Sequence, residues 1–313
     1  MRVFIAGGTG ALGRHLLPQL VAAGYEVSAL TRSAGKAAAV ESAGAEPVVA
    51  DAFDRDALIA AVRAVRPEIV IHQLTALTNM KSFRRFDKEF ALTNRLRTEG
   101  MDNLLAAAEA AGARRFIAQS YAGWPYERSG SRVKTEDAPF DGNPPANQRR
   151  SFEAIQYLER QVTGADLDGV VLRYGGFYGP GSNMNRSGDV AEVVRKRQFP
   201  IVGDGRGVWS FCHLEDGASA TVAAVERGAP GIYNVCDDEP VEIGTWLPEY
   251  ARTIGAPPPR HVPVWLGRLL GGDVTVSMMT KVRGASNAKA KVAFDWKPRY
   301  ATYQEGFSTG LAD

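Results

Sequence analysis

The first thirteen residues constrain this chain more than any other stretch. Val3-Phe4-Ile5-Ala6 is a short apolar run that reads as a buried strand, and Gly7-Gly8-Thr9-Gly10-Ala11-Leu12-Gly13 follows it directly. Leu12, Leu16, Leu17, Leu20 and Val21 then recur at helical spacing. Strand, glycine turn and helix in that order make a cradle for a pyrophosphate. Gly7 turns the chain sharply out of the strand, Gly10 leaves room for the phosphates, and Gly13 lets the helix pack closely on the strand. Backbone N–H groups of Thr9, Ala11 and Leu12 face the phosphates at the helix start, and the helix dipole favours their negative charge. A glycine-rich turn without ligand is the plainer alternative; the order of the three parts speaks against it.

Strand and helix patterns alternate through the first half. Further strands are expected at 26–30, 47–50, 69–72, 115–118 and 169–173, and helices at 54–65, 92–111 and 151–162. Such repetition implies an α/β fold, a doubly wound parallel (Rossmann) sheet in the order 3-2-1-4-5-6. Helices would cover both faces, with a ligand crevice at the carboxyl ends of the strands. Beyond Arg173 the character changes. Residues 174–181 are rich in glycine and aromatics, and strand patterns at 208–214 and 232–236 flank a helix at 216–227. The expected division is a dinucleotide-binding domain of 1–175 with 207–236, and a smaller C-terminal substrate lobe of 176–206 with 237–313 that closes over the cofactor.

With 313 residues, 45% of them hydrophobic, the chain can fill such a core. A net charge of +2 and the lack of long like-charge runs argue against nucleic acid and anionic membrane as partners. No apolar run approaches transmembrane length, and a strand begins at once, so neither a membrane span nor a signal peptide is expected. Cys212, Cys236 and four scattered histidines form no metal-type spacing. The expectation is a cytoplasmic protein that binds no metal and acts on a small molecule.

The end of the second strand bears on the cofactor. An Asp or Glu there commonly grips the ribose 2′-hydroxyl of NAD. Here the sequence is Leu30-Thr31-Arg32-Ser33, with no carboxylate. The guanidinium of Arg32 can pair bidentately with a 2′-phosphate, with the Ser33 hydroxyl beside it, so NADP (NADPH) is expected. The alternative is that Arg32 is a solvated loop charge.

The G-x-x-G-x-x-G spacing resembles the short-chain dehydrogenase/reductase superfamily. Later segments narrow the likeness to its extended branch, the NAD-dependent epimerase/dehydratase family. Leu172-Arg173-Tyr174-Gly175-Gly176-Phe177-Tyr178-Gly179-Pro180-Gly181 looks like the family's L-R-x-x-x-V-Y-G-P-G segment, and Phe211-Cys212-His213-Leu214-Glu215-Asp216 looks like F-V-H-V-D-D. Gly231-Ile232-Tyr233-Asn234-Val235 resembles G-x-Y-N-V, and Trp296-Lys297-Pro298 matches the usual C-terminal ending. The likeness covers essentially the whole chain. It implies that Asp51 contacts the adenine amino group, although a helix N-cap is the other use for it. It implies that Leu74, Thr75 and Ala76 run beneath the ribose and pyrophosphate, and that a homodimer through the helices flanking the fourth and fifth strands would be usual.

The catalytic motif departs from the resembled pattern. Members carry Tyr-x-x-x-Lys on the helix after the fifth strand, where the lysine lowers the tyrosine's pKa. Aligned on Glu159, those places hold Ser151 and Ile155. Two polar handles for a sugar nucleotide are also replaced: Trp209 stands for an arginine and Gly176 for an asparagine. Trp209, Trp124, Phe177, Tyr178 and Met184 are candidates to line an apolar pocket instead, or simply to be core. At the end of the fifth strand, Ser120 or Tyr121 can take the place of the family's hydroxyl donor, depending on one residue of register. These residues suit reduction of a mid-sized apolar carbonyl compound, with Ser120 donating to the oxyanion and Tyr121 as alternative. An epimerase or dehydratase using bound cofactor is the related reading. A non-catalytic NADP-binding sensor is the competing one.

Overall fold

The computed structural model describes residues 1–77 and 83–311. Seven parallel strands form its central sheet. They are β1 (Arg2–Ala6), β2 (Glu26–Thr31), β3 (Glu46–Val49), β4 (Ile69–His72), β5 (Arg115–Tyr121), β6 (Asp168–Tyr174) and β7 (Gly231–Val235). Their spatial order is β7-β6-β5-β4-β1-β2-β3, the expected doubly wound arrangement extended by a seventh strand.

The run Val3–Ala6 is buried on both faces because helices cover both. Val3 and Ile5 face α1 (Ala11–Ala22) and α5 (Leu214–Glu226), where Leu16, Leu20, Leu214 and Ala218 meet them. Phe4 and Ala6 point the other way, to α2 (Arg55–Val65), α3 (Met101–Ala110) and α4 (Arg149–Thr163), through Leu58, Leu104 and Leu158. Alternation along one strand thus divides the core in two. Two glycines are needed for β1 and α1 to meet. Gly7 has φ +108°, and a Cβ there would lie 2.7 Å from the backbone of Gln73. At Gly13 a Cβ would lie 2.3 Å from the carbonyl oxygen of Gly7.

The rest of the chain builds a lobe beyond the carboxyl edge. Its core is aromatic, with Tyr178, Phe211, Trp246, Tyr250, Tyr303 and Phe307 in contact, and it includes α6 (Ile243–Thr253) and α7 (Val264–Thr280). The helix Ala288–Phe294 falls on the lobe side of the expected division. Its Ala290 and Phe294 nevertheless pack with α5 and β7 in the core of the dinucleotide half.

Two local departures from the sequence pattern shape the crevice. β5 runs on through Gln119-Ser120-Tyr121, because these residues pair with Leu172-Arg173-Tyr174 of β6. The helix expected at 92–111 is interrupted. A wider π turn, Leu96–Gly100, lies between a short helix, Ala91–Arg95, and α3.

Candidate active site

One end of the crevice is made of backbone. Gly10 caps α1 in an extended conformation and has no side chain to offer the helix, and the first turn carries no acid. The N–H groups of Ala11, Leu12 and Gly13 have no partner four residues back, which leaves them pointing out of the helix start. Gly10 and Ala11 are exposed there, and Thr9 is half-buried. The cradle fits a pyrophosphate in shape and charge.

Around it stand the side chains expected to choose the dinucleotide. Arg32 is exposed at the end of β2 and bonds to no described residue. The Ser33 hydroxyl accepts the Gly35 N–H at 3.2 Å, capping the short turn Ala34–Lys36, and this turn brings exposed Lys36 to the same edge. Lys36 is a second exposed cation four residues after Arg32 that the sequence reading did not single out. Asp51 accepts the Phe53 N–H at 2.9 Å, whereas Asp54 caps α2 through the Ala57 N–H at 3.1 Å. The capping role therefore belongs to Asp54, and Asp51 is an exposed carboxylate at the rim. Leu74, Thr75 and Ala76 leave β4 under restraint. His72 Nδ1 accepts the Leu74 N–H at 3.2 Å, and Thr93 Oγ1 accepts the Ala76 N–H at 3.0 Å. Burial lowers the His72 pKa to about 4, so its ring is neutral and Nε2–H donates to the Leu96 carbonyl of the π turn.

The other end is made of side chains. Ser120 and Tyr121 face opposite ways because both lie within β5. Ser120 is 1% exposed and donates to Glu159 Oε1 at 2.6 Å. Arg173 forks the same carboxylate at 2.8 and 2.6 Å. The Ser120 hydrogen is spent inside this network, which corrects the expectation that Ser120 serves as oxyanion donor. Tyr121 instead reaches the crevice edge. A Cβ on Gly176 would sit 3.7 Å from its hydroxyl, which bonds to no described residue. Burial pushes its pKa up to about 12, with Arg97 opposing, so it can donate a hydrogen bond but is no base near neutral pH. Tyr126 and Tyr174 bond to Asn234 and Thr221, and Tyr178 is sealed in the lobe core.

The two places of the absent Tyr-x-x-x-Lys pair are filled structurally. Ser151 Oγ donates to Asp87 at 2.7 Å and accepts from Asn94 at 3.0 Å. Asp87 also accepts the N–H groups of Arg150 and Ser151, an anchor at the start of α4. Ile155 lies in an apolar cluster with Phe86, Phe90, Trp124, Phe152 and Met278, with Tyr121 and Trp209 against it. Trp124 and Trp209 thus meet at this cluster, and the Trp209 ring N–H donates to the Met278 carbonyl. Phe177 packs instead beside Leu12 of α1 and Gly217 of α5, and Tyr178 and Met184 belong to the lobe core, the second of the two places that the sequence leaves open for them. Among the described residues no group of three His, Cys, Asp or Glu side chains could hold a metal, and no helix is long and apolar enough to cross a membrane.

The NAD dependent epimerase/dehydratase family model matches residues 3–236. The chain belongs to this family. Like other members of the NAD-dependent epimerase/dehydratase family, it is an NAD(P)-dependent enzyme of the oxidoreductase or epimerase type. It is 46% identical to the 3-diazoavenalumate denitrifying reductase of a Streptomyces species over 308 residues, 98% of this chain and 99% of that one. Identity is 31% over 256 residues to a 4-hydroxy-2-methyl-3-oxo-4-farnesyl-3,4-dihydroquinoline-1-oxide ketoreductase of Stigmatella aurantiaca, covering 82% of this chain and 74% of the relative. Among solved structures, the UDP-glucose 4-epimerase of Thermus thermophilus in complex with NAD superposes with a TM-score of 0.74 at 25% identity, covering 99% and 98% of the two chains. The Thermotoga maritima UDP-glucose 4-epimerase shares the fold, with a TM-score of 0.76 at 21% identity over 99% and 97%.

Proposed function

We propose that this family member is an NADPH-dependent reductase that replaces the nitrogen of an arenediazonium (diazo) substrate with hydrogen and releases dinitrogen. The observation that carries the reading is the closed state of the proton-transfer places: Ser151 is locked to Asp87, and Ile155 is packed among aromatics. Replacing a diazonium group needs hydride and no proton. The carbon–nitrogen bond breaks, its electron pair leaves with dinitrogen, and the hydride pair becomes the new C–H bond. One positive and one negative charge cancel, so no oxyanion develops and no acid is required. The name of the 46%-identical relative, a denitrifying reductase of a diazo compound, supports the same class.

When bound, NADPH supplies the hydride. In this reading the backbone from Thr9 to Gly13 holds its pyrophosphate, Arg32, Ser33 and Lys36 its 2′-phosphate, and Asp51 its adenine. Trp124, Phe152 and Trp209 give the substrate an apolar face and exclude water, which would otherwise convert a diazonium to a phenol.

The free hydroxyl of Tyr121 favours one second reading, reduction of an apolar carbonyl compound with Tyr121 as acid. Tyr121→Phe separates the two. It should change kcat by less than about threefold for a diazonium, whereas removing the donor to an oxyanion costs on the order of 10²–10³. The primary test uses NADPH deuterated at the transferable C4 position with an arenediazonium salt. The arene should carry deuterium on the carbon that bore nitrogen, with one dinitrogen per NADPH consumed. Reduction of ketones with no turnover of any arenediazonium would overturn the proposal.

A further inference from the structure

The π turn carries a charge into the fold that neither the cofactor cradle nor the hydride step uses. We propose that Arg97, on this turn, binds a carboxylate of the substrate at the floor of the crevice, between the ends of β4 and β5. The proposal rests on the reductase reading of the same site.

Arg97 is 3% exposed, and its Nη1 is sealed from solvent with no hydrogen-bond partner among the described residues. A buried guanidinium without a counter-charge is costly, and a ligand that supplies one removes the cost. Burial lowers its pKa only to about 10, so it stays charged near neutral pH. Glu159 lies within electrostatic reach but cannot serve, because its carboxylate is already taken by the Arg173 fork and the Ser120 hydroxyl.

The position of Arg97 gives the direction of the ligand. Leu96, its neighbour, is bonded through its carbonyl to His72, the last residue of β4. Tyr121, the last residue of β5, lies within reach of its charge. The π turn packs against α4, the helix on which the resembled motif would place its lysine. The cation therefore returns to this end of the crevice from the neighbouring helix. The aromatic cluster alongside, from Phe86 and Phe90 to Trp124 and Phe152, carries no charge of its own. A planar unsaturated acid matches both features, with its ring on the aromatics and its carboxylate on the guanidinium fork. The Tyr121 hydroxyl is the second donor. Ribose hydroxyls or the nicotinamide amide are neutral and would leave the charge uncompensated.

The test is calorimetric titration of cinnamate, and separately of neutral cinnamamide, into the NADPH complex of the wild type, Arg97→Gln and Arg97→Lys. Wild type should bind cinnamate at least about tenfold more tightly than the amide, as a charge-assisted pair requires. Arg97→Gln should abolish the preference and leave NADPH affinity within about twofold, and Arg97→Lys should keep part of it. A wild type without the preference, or an Arg97→Gln variant that loses NADPH affinity in step, overturns the proposal. Ligand-free Arg97→Met supplies a folding readout. Removing an unpaired buried charge should leave Tm unchanged or raised, whereas a marked fall would show a structural ion and overturn the assignment. Binding is read without turnover. Loss of the cinnamate preference in Arg97→Gln thus supports the carboxylate site even where no arenediazonium is reduced.

Discussion

The two ends of the crevice are made of different materials. At the β1–α1 end the crevice offers backbone N–H groups, with Gly7, Gly10 and Gly13 adding no side chains. At the β5–α4 end everything is side chain: Tyr121, the Glu159–Arg173 pair, Ser151 on Asp87, and a wall of aromatics. A cradle of backbone depends on a few glycines and the helix geometry, so the residues around it can change without altering what it holds. A side-chain site can be rebuilt one residue at a time on an unchanged sheet. The family's dinucleotide end and its chemistry end can therefore part company within one chain.

The sharpest break of this contrast is Gly10→Val. A Cβ there lies 3.2 Å from the Gly7 carbonyl oxygen, close enough to need only a small local shift. Dinucleotide binding should fall below detection by calorimetry while Tm moves by a few degrees at most. Normal binding by a folded Gly10→Val protein would remove the backbone end of the comparison. At the side-chain end, Glu159→Ala strands Arg173 in the core and should lower unfolding free energy by about 3–5 kcal/mol in urea titration. A loss under about 1 kcal/mol, the worth of a surface pair, would show the network to be solvated.

His72 spans the two ends, between the Leu74 N–H and the Leu96 carbonyl. Its folded pKa of about 4 lies below the ordinary 6.5, so the unfolded chain binds the proton first as pH falls. The stability from a neutral buried ring is complete above about pH 6.5 and is lost as pH falls toward 4. The loss should reach about 3 kcal/mol and should flatten in His72→Gln when denaturation is followed across this range. The smallest effect is Arg32→Ala, which should weaken NADPH binding by about 1.5–3 kcal/mol and leave NADH nearly unchanged. Equal losses for both dinucleotides would mean that the cradle's rim does not read the 2′-phosphate.

What was legible in the sequence was local. The glycine turn, the apolar strands and the strand order follow from patterns a few residues long. The end of β5 was not legible, because Gln119-Ser120-Tyr121 are ordinary polar residues until Leu172-Arg173-Tyr174 arrive to pair with them. Three more strand residues decide that Ser120 turns to Glu159 and Tyr121 to the crevice. Arg97 was hidden for a related reason: it reads as one more charge on a helix surface, and a single π turn, which no composition signals, changes the face on which it falls. Glu159 was visible as an alignment anchor, but its partner Arg173 comes from another element, fourteen residues on.

The filled places on α4 also set how hard the resembled motif would be to install here. In the sequence, the resembled tyrosine–lysine pair lies two substitutions away. In the molecule, Ser151→Tyr would drive a ring into a site with no exposed surface and remove the hydroxyl bond to Asp87. Ile155→Lys would set an ammonium among Phe86, Phe90 and Trp124. Each step alone damages the fold before it restores any proton transfer. The tyrosine–lysine pair is thus hard to install on this helix, and the Tyr121 side is where the described residues leave a hydroxyl without a partner.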